Sequence, residues 1–231
     1  MSKLARLLPL DYRRRRLHRR APPGPLRDFL ATPFTDIHQD YRDADYVALD
    51  LETSGLDSHT DHILSIGHVS LHARHVLLGT ARHILLKTPA TLEAANVGIH
   101  RLTDDMLAGG QTLTMALHSL LPELAGKVLI AHHAQVEIRF LRAACQQVFG
   151  AEWLMPVVDT QYLAQRRLDR RHAVYQPAAL RLASLREAYH LPRYPAHHAL
   201  TDAIATAELF LAETARMDAD RIPLKKLLYP Q

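Results

Sequence analysis

The chain of 231 residues contains one cysteine, Cys145, which excludes an internal disulfide and fits a reducing compartment such as the cytoplasm. Cys145 sits in a helical pattern with no CxxC partner, so it reads as a packing residue. No run approaches the roughly eighteen consecutive apolar residues that a membrane-spanning helix needs. The Arg-rich stretch "RRRRLHRR" is followed by "APPGPLRDFL" and no apolar core, so it does not read as a secretory signal. An organellar transit peptide is the second reading of that stretch. Internal repeats and low-complexity tracts are absent. The 16 histidines, including the pairs His132–His133 and His197–His198, lack the cysteine partners or HExxH spacing of a zinc site.

Acidic residues are scarce at the start of the chain. Residues 1–27 carry nine Lys and Arg against Asp11 alone, whereas the remainder holds more acid than base. The net charge of +4 is therefore an average over a basic arm and a mildly acidic body. Such asymmetry points to contact with nucleic acid or another acidic surface, or to a solvated arm. "APPGP", Ala21 to Pro25, punctuates the chain behind the arm. The expected organisation is a basic arm and linker over 1–45, one domain over 46–217 and a tail over 218–231.

The body is 48% hydrophobic over the whole chain, enough to bury a sizeable core. "YVALDL", "HILSIGHVSL" and "HVLLGTARHILL" read as three consecutive strands. "KVLIAH" and "MPVVDT" read as two more, now alternating with helical patterns such as "AQVEIRFLRAACQQVFG", with Gly150 as its C-cap. His68, His72, His75 and His83 fall on strand-like segments and are expected at edges or on exposed faces, while Phe140, Trp153 and Tyr162 are expected in the core. The pattern predicts an α/β fold with a mixed five-stranded sheet flanked by helices.

"YVALDLETSGLD" ends an apolar strand with Asp50 and Glu52 on one face, because residues i and i+2 of a strand point the same way. Two like charges beside a core are costly unless something positive answers them. Glu137 lies one helical turn past a strand end, and Asp202 lies near the start of the last helix, where an acid suits the dipole. His197 precedes Asp202 by five residues. Four carboxylates beside one histidine suit hard divalent cations, Mg²⁺ or Mn²⁺. Two such ions would make a phosphodiesterase site, with His197 as general base.

These residues resemble those of the DEDDh 3′–5′ exonucleases, the group of the proofreading epsilon subunit of DNA polymerase III and of ribonuclease T. "DLETSGLD" is similar to the family's first motif, and "HHALTDA" to its third, His-x4-Asp, falling on His197 and Asp202. "GIHRLTDDML" and "VVDTQYLA" add to the likeness, which spans about Tyr46 to Met217. The second motif departs from the family pattern. "HHAQVE" places His133 at an Asn position and Glu137 at an Asp position, and the added methylene displaces the carboxylate by roughly 1.5 Å.

The resemblance implies a ribonuclease H-like fold, two divalent cations held by Asp50, Glu52, Glu137 and Asp202, and a single-stranded DNA or RNA 3′ end in the site. It also implies that Thr53, Ser54 and His133 contact the terminal nucleotides. Leu56 and Leu102 are wedges against the last base or, alternatively, core residues. The expected activity is release of nucleoside monophosphates from DNA 3′ ends. RNA trimming and a weakly catalytic binding module are the alternatives. Replication or repair proteins are the expected partners, and membranes are not. Since 29 residues follow Asp202, a stable place in a replicative polymerase is not expected, and the oligomeric state is left open.

Overall fold

Strand β1 (Tyr46–Thr53) is buried along almost its whole length and receives neighbours on both edges. It pairs antiparallel with β2 (Ile63–His72) and parallel with β5 (Val128–Ala131). Beyond β5 lies β6 (Val157–Asp159), again parallel, while β3 (His75–Val76) and β4 (Arg82–Leu85) both pair with β2. The structure, a computed structural model, describes residues 8–88, 104–217 and 220–231.

The mixed sheet thus has six strands, not the five expected. The expected strand over 75–86 is split by a 3₁₀ turn at Leu78–Thr80. There the Thr80 hydroxyl donates to the Leu77 carbonyl and accepts the Ser70 N–H, turning the chain out of the ladder.

Alternation along β1 sorts its side chains. Val47, Leu49 and Leu51 join a core built with α4 (Leu113–Leu124) and α5 (Gln135–Phe149). Helix α3 (Asp104–Ala108) precedes them, with Leu107 packed on Leu64. Gly150 ends α5 in the left-handed conformation, φ 64°, as its sequence position predicts. Tyr46 and Ala48 face the other way, towards α6 (Thr160–Arg170) and α8 (Ala199–Ala215). Between them α7 (Leu182–Ala188) packs through Leu185. Among the described residues no helix is long and apolar enough to cross a membrane.

The basic segment folds onto this body. Helices α1 (Leu10–Arg20) and α2 (Pro25–Ala31) bring Leu26, Phe29 and Leu30 into the core beside α4 and α5. Arg14 is buried because its guanidinium donates to the Leu30 and Ala31 carbonyls at the end of α2 and pairs with Asp11. Arg15, Arg16, Arg19 and Arg20 remain exposed. The last segment also folds back, with the Tyr229 N–H donating to the Val157 carbonyl beside β6.

Some side chains depart from expectation. His68 is 3% exposed because it stands opposite Leu49 in the β1–β2 register, on the sheet face that the core covers. Tyr162 is half-buried against Tyr229, whereas Phe140 and Trp153 are in the core. Cys145 is buried, and burial pushes its thiol up to about 12.

One glycine decides how closely α8 approaches the sheet. Gly67 stands opposite Asp50 in the β1–β2 register. A Cβ there would lie 2.1 Å from the Ala199 carbonyl carbon and the Leu200 nitrogen, both backbone atoms that cannot rotate away. Gly67→Ala must therefore lift the first turn of α8. The expected cost is about 3 kcal/mol, the upper end of ordinary overpacking, read as a lower urea midpoint at unchanged slope. A midpoint equal to wild type would refute this account of the helix seat.

Candidate active site

The close seat of α8 delivers Asp202 to the end of β1. Asp50, Glu52 and Asp202 each offer an oxygen, and these atoms lie within 4.8 Å of one another. Glu52 is buried and Asp50 is half-buried, both projecting from the α8 face of β1. Glu137, 3% exposed, approaches from the first turn of α5. It stands outside the close trio, yet of the neighbouring charges its own bears most strongly on Asp50.

The electrostatics follow from burial and like charge. Burial raises the Asp50 carboxyl well above its ordinary value, and the charges of Glu137, Glu52 and Asp202 add to the shift. Glu137 is pushed up to about 8, first by burial and then by Asp159 and Glu52, against the pull of its own and the Leu51 backbone N–H. Its Oε2 has no hydrogen-bond partner among the described residues. Burial also raises Asp202, which the His197 N–H partly offsets. Hard oxygen donors crowded in this way fit a divalent cation, which would remove the repulsion.

The two histidines at the start of α8 divide the work. His198 is the N-cap, its Nδ1 accepting the Thr201 N–H at 3.3 Å, and its ring lies 4.4 Å from that of His83. His83, expected at an exposed edge, is half-buried because β4 brings it against this helix start. His197 is exposed on the preceding loop with φ 66°, and its N–H donates to Asp202 Oδ2 at 2.8 Å. A cavity of about 530 Å³ opens beside His197 and Asp202, walled by Arg181, Arg193 and Tyr194.

The expected nucleotide contacts have varied surroundings. The Thr53 hydroxyl donates to the Gly55 carbonyl, and the Ser54 hydroxyl donates to Asp61 Oδ1. Both hydroxyls brace the loop after β1 through these bonds. Leu56 is 78% exposed, so the core alternative for it is excluded. Leu102 lies outside the described residues. The exposed His133 turns its Nδ1 to Gln161 Oε1 at 2.6 Å, while His132 uses both ring nitrogens on Thr160 and Leu180. Burial lowers His132 to about 4, which keeps it neutral.

Two acids that the sequence reading gave no site role brace the site. Asp159 accepts four backbone N–H groups, from His133, Ala134, Gln161 and Tyr162. It thereby ties the start of α6 to the start of α5, the turn that carries Glu137. Asp61 accepts the Asp57 N–H as well as the Ser54 hydroxyl and closes the loop bearing Leu56. The helix-capping position of Asp159 in "VVDTQ" was the available signal, whereas Asp61 gave none.

Comparison with known proteins places this arrangement. The RNase_T exonuclease model matches residues 47–210. The chain belongs to the RNase T exonuclease family. It is of the DEDDh type, whose members are 3′–5′ exonucleases dependent on divalent metal. A PolC-type DNA polymerase III of Thermotoga maritima is 32% identical over 171 residues, covering 74% of this chain but 12% of that relative. The DNA polymerase III subunit epsilon of Treponema pallidum is 30% identical over 169 residues, covering 71% of this chain and 74% of the relative.

Two solved structures share the fold. Exonuclease X in complex with 5′ overhanging duplex DNA gives a TM-score of 0.57 at 19% identity, over 79% of this chain and 98% of the other. The nuclease domain of 3′hExo bound to rAMP gives 0.64 at 12% identity, over 79% and 100%.

The raised carboxyls link stability to pH in the metal-free protein. A carboxyl raised on folding keeps its proton in the folded chain after the unfolded chain has released it. Stability from Glu137 is thus present below its ordinary 4.5 and is lost as the pH rises through about 8. In EDTA, the Tm of wild type relative to Glu137→Gln should fall between about pH 5 and about pH 8.5, and excess Mg²⁺ should recover it most at the upper end. Parallel curves for the two proteins would contradict this assignment.

Proposed function

We propose that this domain hydrolyses the terminal phosphodiester bond of single-stranded or frayed DNA 3′ ends, releasing nucleoside monophosphates. The convergence of Asp50, Glu52 and Asp202 within 4.8 Å, with Glu137 facing them, carries the reading. These four carboxylates would hold two divalent cations, Mg²⁺ or Mn²⁺. When bound, the ions supply charge stabilisation for the attacking and leaving oxygens and acidify a water.

The side chains around them do the rest. His197 takes the water's proton, the general-base role that histidine fills most often. Its loop is held to Asp202 by the backbone hydrogen bond, so base and carboxylate keep a fixed relation. Leu56, projecting into solvent at the rim, serves as an apolar wedge against the last base. Leu102 would supply a second wedge. Thr53 and Ser54 shape the loop that receives the terminal nucleotide, and His133 stands beside it as a hydrogen-bonding group.

DNA is the proposed substrate, with RNA as the rival that the same residues would serve. The named relatives are polymerase-associated, so replication or repair proteins are the proposed partners. The exposed arginines of α1 add a surface for the strand's phosphates.

The test is a timed gel of 5′-labelled single-stranded DNA and RNA of one sequence, each with Mg²⁺, Mn²⁺ or EDTA. Wild type should give a metal-dependent ladder shortening from the 3′ end, faster on DNA, and Asp50→Ala should give none. His197→Ala should lower kcat by about 10²–10⁴-fold with a smaller change in KM. A ladder on RNA alone would transfer the assignment to RNA. No ladder with either polymer would leave a binding module, with Glu137 as its mark.

Charge also makes a separate prediction. Replacing Arg15, Arg16, Arg19 and Arg20 with alanine should flatten the salt dependence of strand binding without unfolding α1, since Arg14 holds that helix in place. An unchanged slope would remove α1 from the binding surface.

A further inference from the structure

The second large basic feature lies away from the carboxylates. Glu213 follows Asp202 by eleven residues on α8, a rise of about 16 Å along the helix. At that end a cavity of about 420 Å³ opens between α6, α8 and the C-terminal segment. Arg166, Arg167, Arg170, Arg171, Arg216 and Lys226 surround it. Among the described residues none of the six forms a salt bridge. Helix-dipole compensation accounts for the arginines at the end of α6 and for Arg216, the C-cap of α8, but not for their convergence with Lys226 of the C-terminal segment around one cavity. Arginines at 166 and 170, four apart on α6, repel each other and weaken the bare helix.

The interior carries the second observation. Both carboxylate oxygens of Glu213, the Tyr189 hydroxyl and the Arg167 Nε are buried without a hydrogen-bond partner among the described residues. All belong to side chains lining this cavity. Each such orphan costs about 1–3 kcal/mol, so four in one place require an explanation. Arg167 and Arg216 flank the Tyr189 ring at 5.2 and 4.3 Å, which fixes their guanidinium groups at the rim. Leu163, Ile222 and Leu227 supply an apolar floor.

We propose that this cavity binds a nucleoside polyphosphate, its phosphates at the arginine rim and N–H groups of its base on Glu213. The volume suits a small ligand, and guanidinium forks suit phosphate. Inorganic polyphosphate would satisfy the rim but bring no donor to Glu213 and nothing to cover the floor. An acidic peptide would spread its charge too widely for six cations around one cavity. The site is independent of the nuclease reading, since its residues are separate from the four carboxylates.

Calorimetric titration of the full chain in EDTA tests this, because removing divalent ions weakens phosphate binding at the carboxylate site, and the Arg170 and Arg171 variants distinguish this cavity from the one beside Arg181 and Arg193. The probes are the four ribonucleoside triphosphates, inorganic tripolyphosphate and a dT oligonucleotide. At least one nucleoside triphosphate should bind more tightly than tripolyphosphate. The exposed pair Arg170→Ala/Arg171→Ala should weaken it about tenfold or more. Glu213→Gln should weaken the nucleotide and leave tripolyphosphate unchanged. Equal binding of nucleotide and tripolyphosphate overturns the base contact. Oligonucleotide binding that alone depends on Arg170 and Arg171 overturns the small-ligand reading in favour of a strand track. No binding of any probe at millimolar concentration overturns the site. Asp50→Ala should bind the nucleotide as wild type does, which separates this outcome from any result of the nuclease assay.

Discussion

The site depends on how closely a helix can lie against a strand. Asp50 and Glu52 are set by β1, but they become a cluster only because the first turn of α8 rests directly on β2 at Gly67. Most side chains at position 67 would hold that turn away, and Asp202 with it. The alanines of α8 extend the same logic down the helix, since Ala203, Ala205 and Ala207 are fully packed. The His198 cap and its contact with His83 then fix where the helix begins.

What is assembled there is unfavourable by itself. Four carboxylates, three of them raised by burial and mutual repulsion, would separate if the backbone allowed it. The backbone does not allow it. Asp159 binds the starts of two helices through four N–H groups, and Asp61 closes the loop after β1. Such bracing is what a cation site needs, because a floppy cluster would relax before an ion arrived.

Much of this was legible in the sequence because motif and geometry share a period. Asp50 and Glu52 read as neighbours from strand alternation, and Glu137 and Asp202 from their places at helix starts. The capping glycine Gly150 was equally plain. Relations that exist only across the sheet were hidden. Nothing local marks Gly67 as the seat of a helix, or Glu213 as part of the lining of an arginine-rimmed cavity. At the N-terminus composition left two readings, contact with an acidic surface or a solvated arm, and neither foresaw that Arg14 is buried against the carbonyls that end α2. The strand over 75–86 was read through a turn, because Leu77 and Leu78 are as apolar as strand residues although the turn leaves them exposed.

The C-terminal segment has a consequence for how this sheet meets other chains. Leu228 bridges to Val158 and the Tyr229 N–H satisfies the Val157 carbonyl, so the outer rim of β6 is already occupied by the protein's own backbone. Gln231 extends the cover, its amide donating to the Met155 carbonyl. A visiting extended peptide finds no free ladder there. Among the described residues the opposite margin is formed by β3 and β4, which are short and interrupted, so the two margins discourage strand addition by different means.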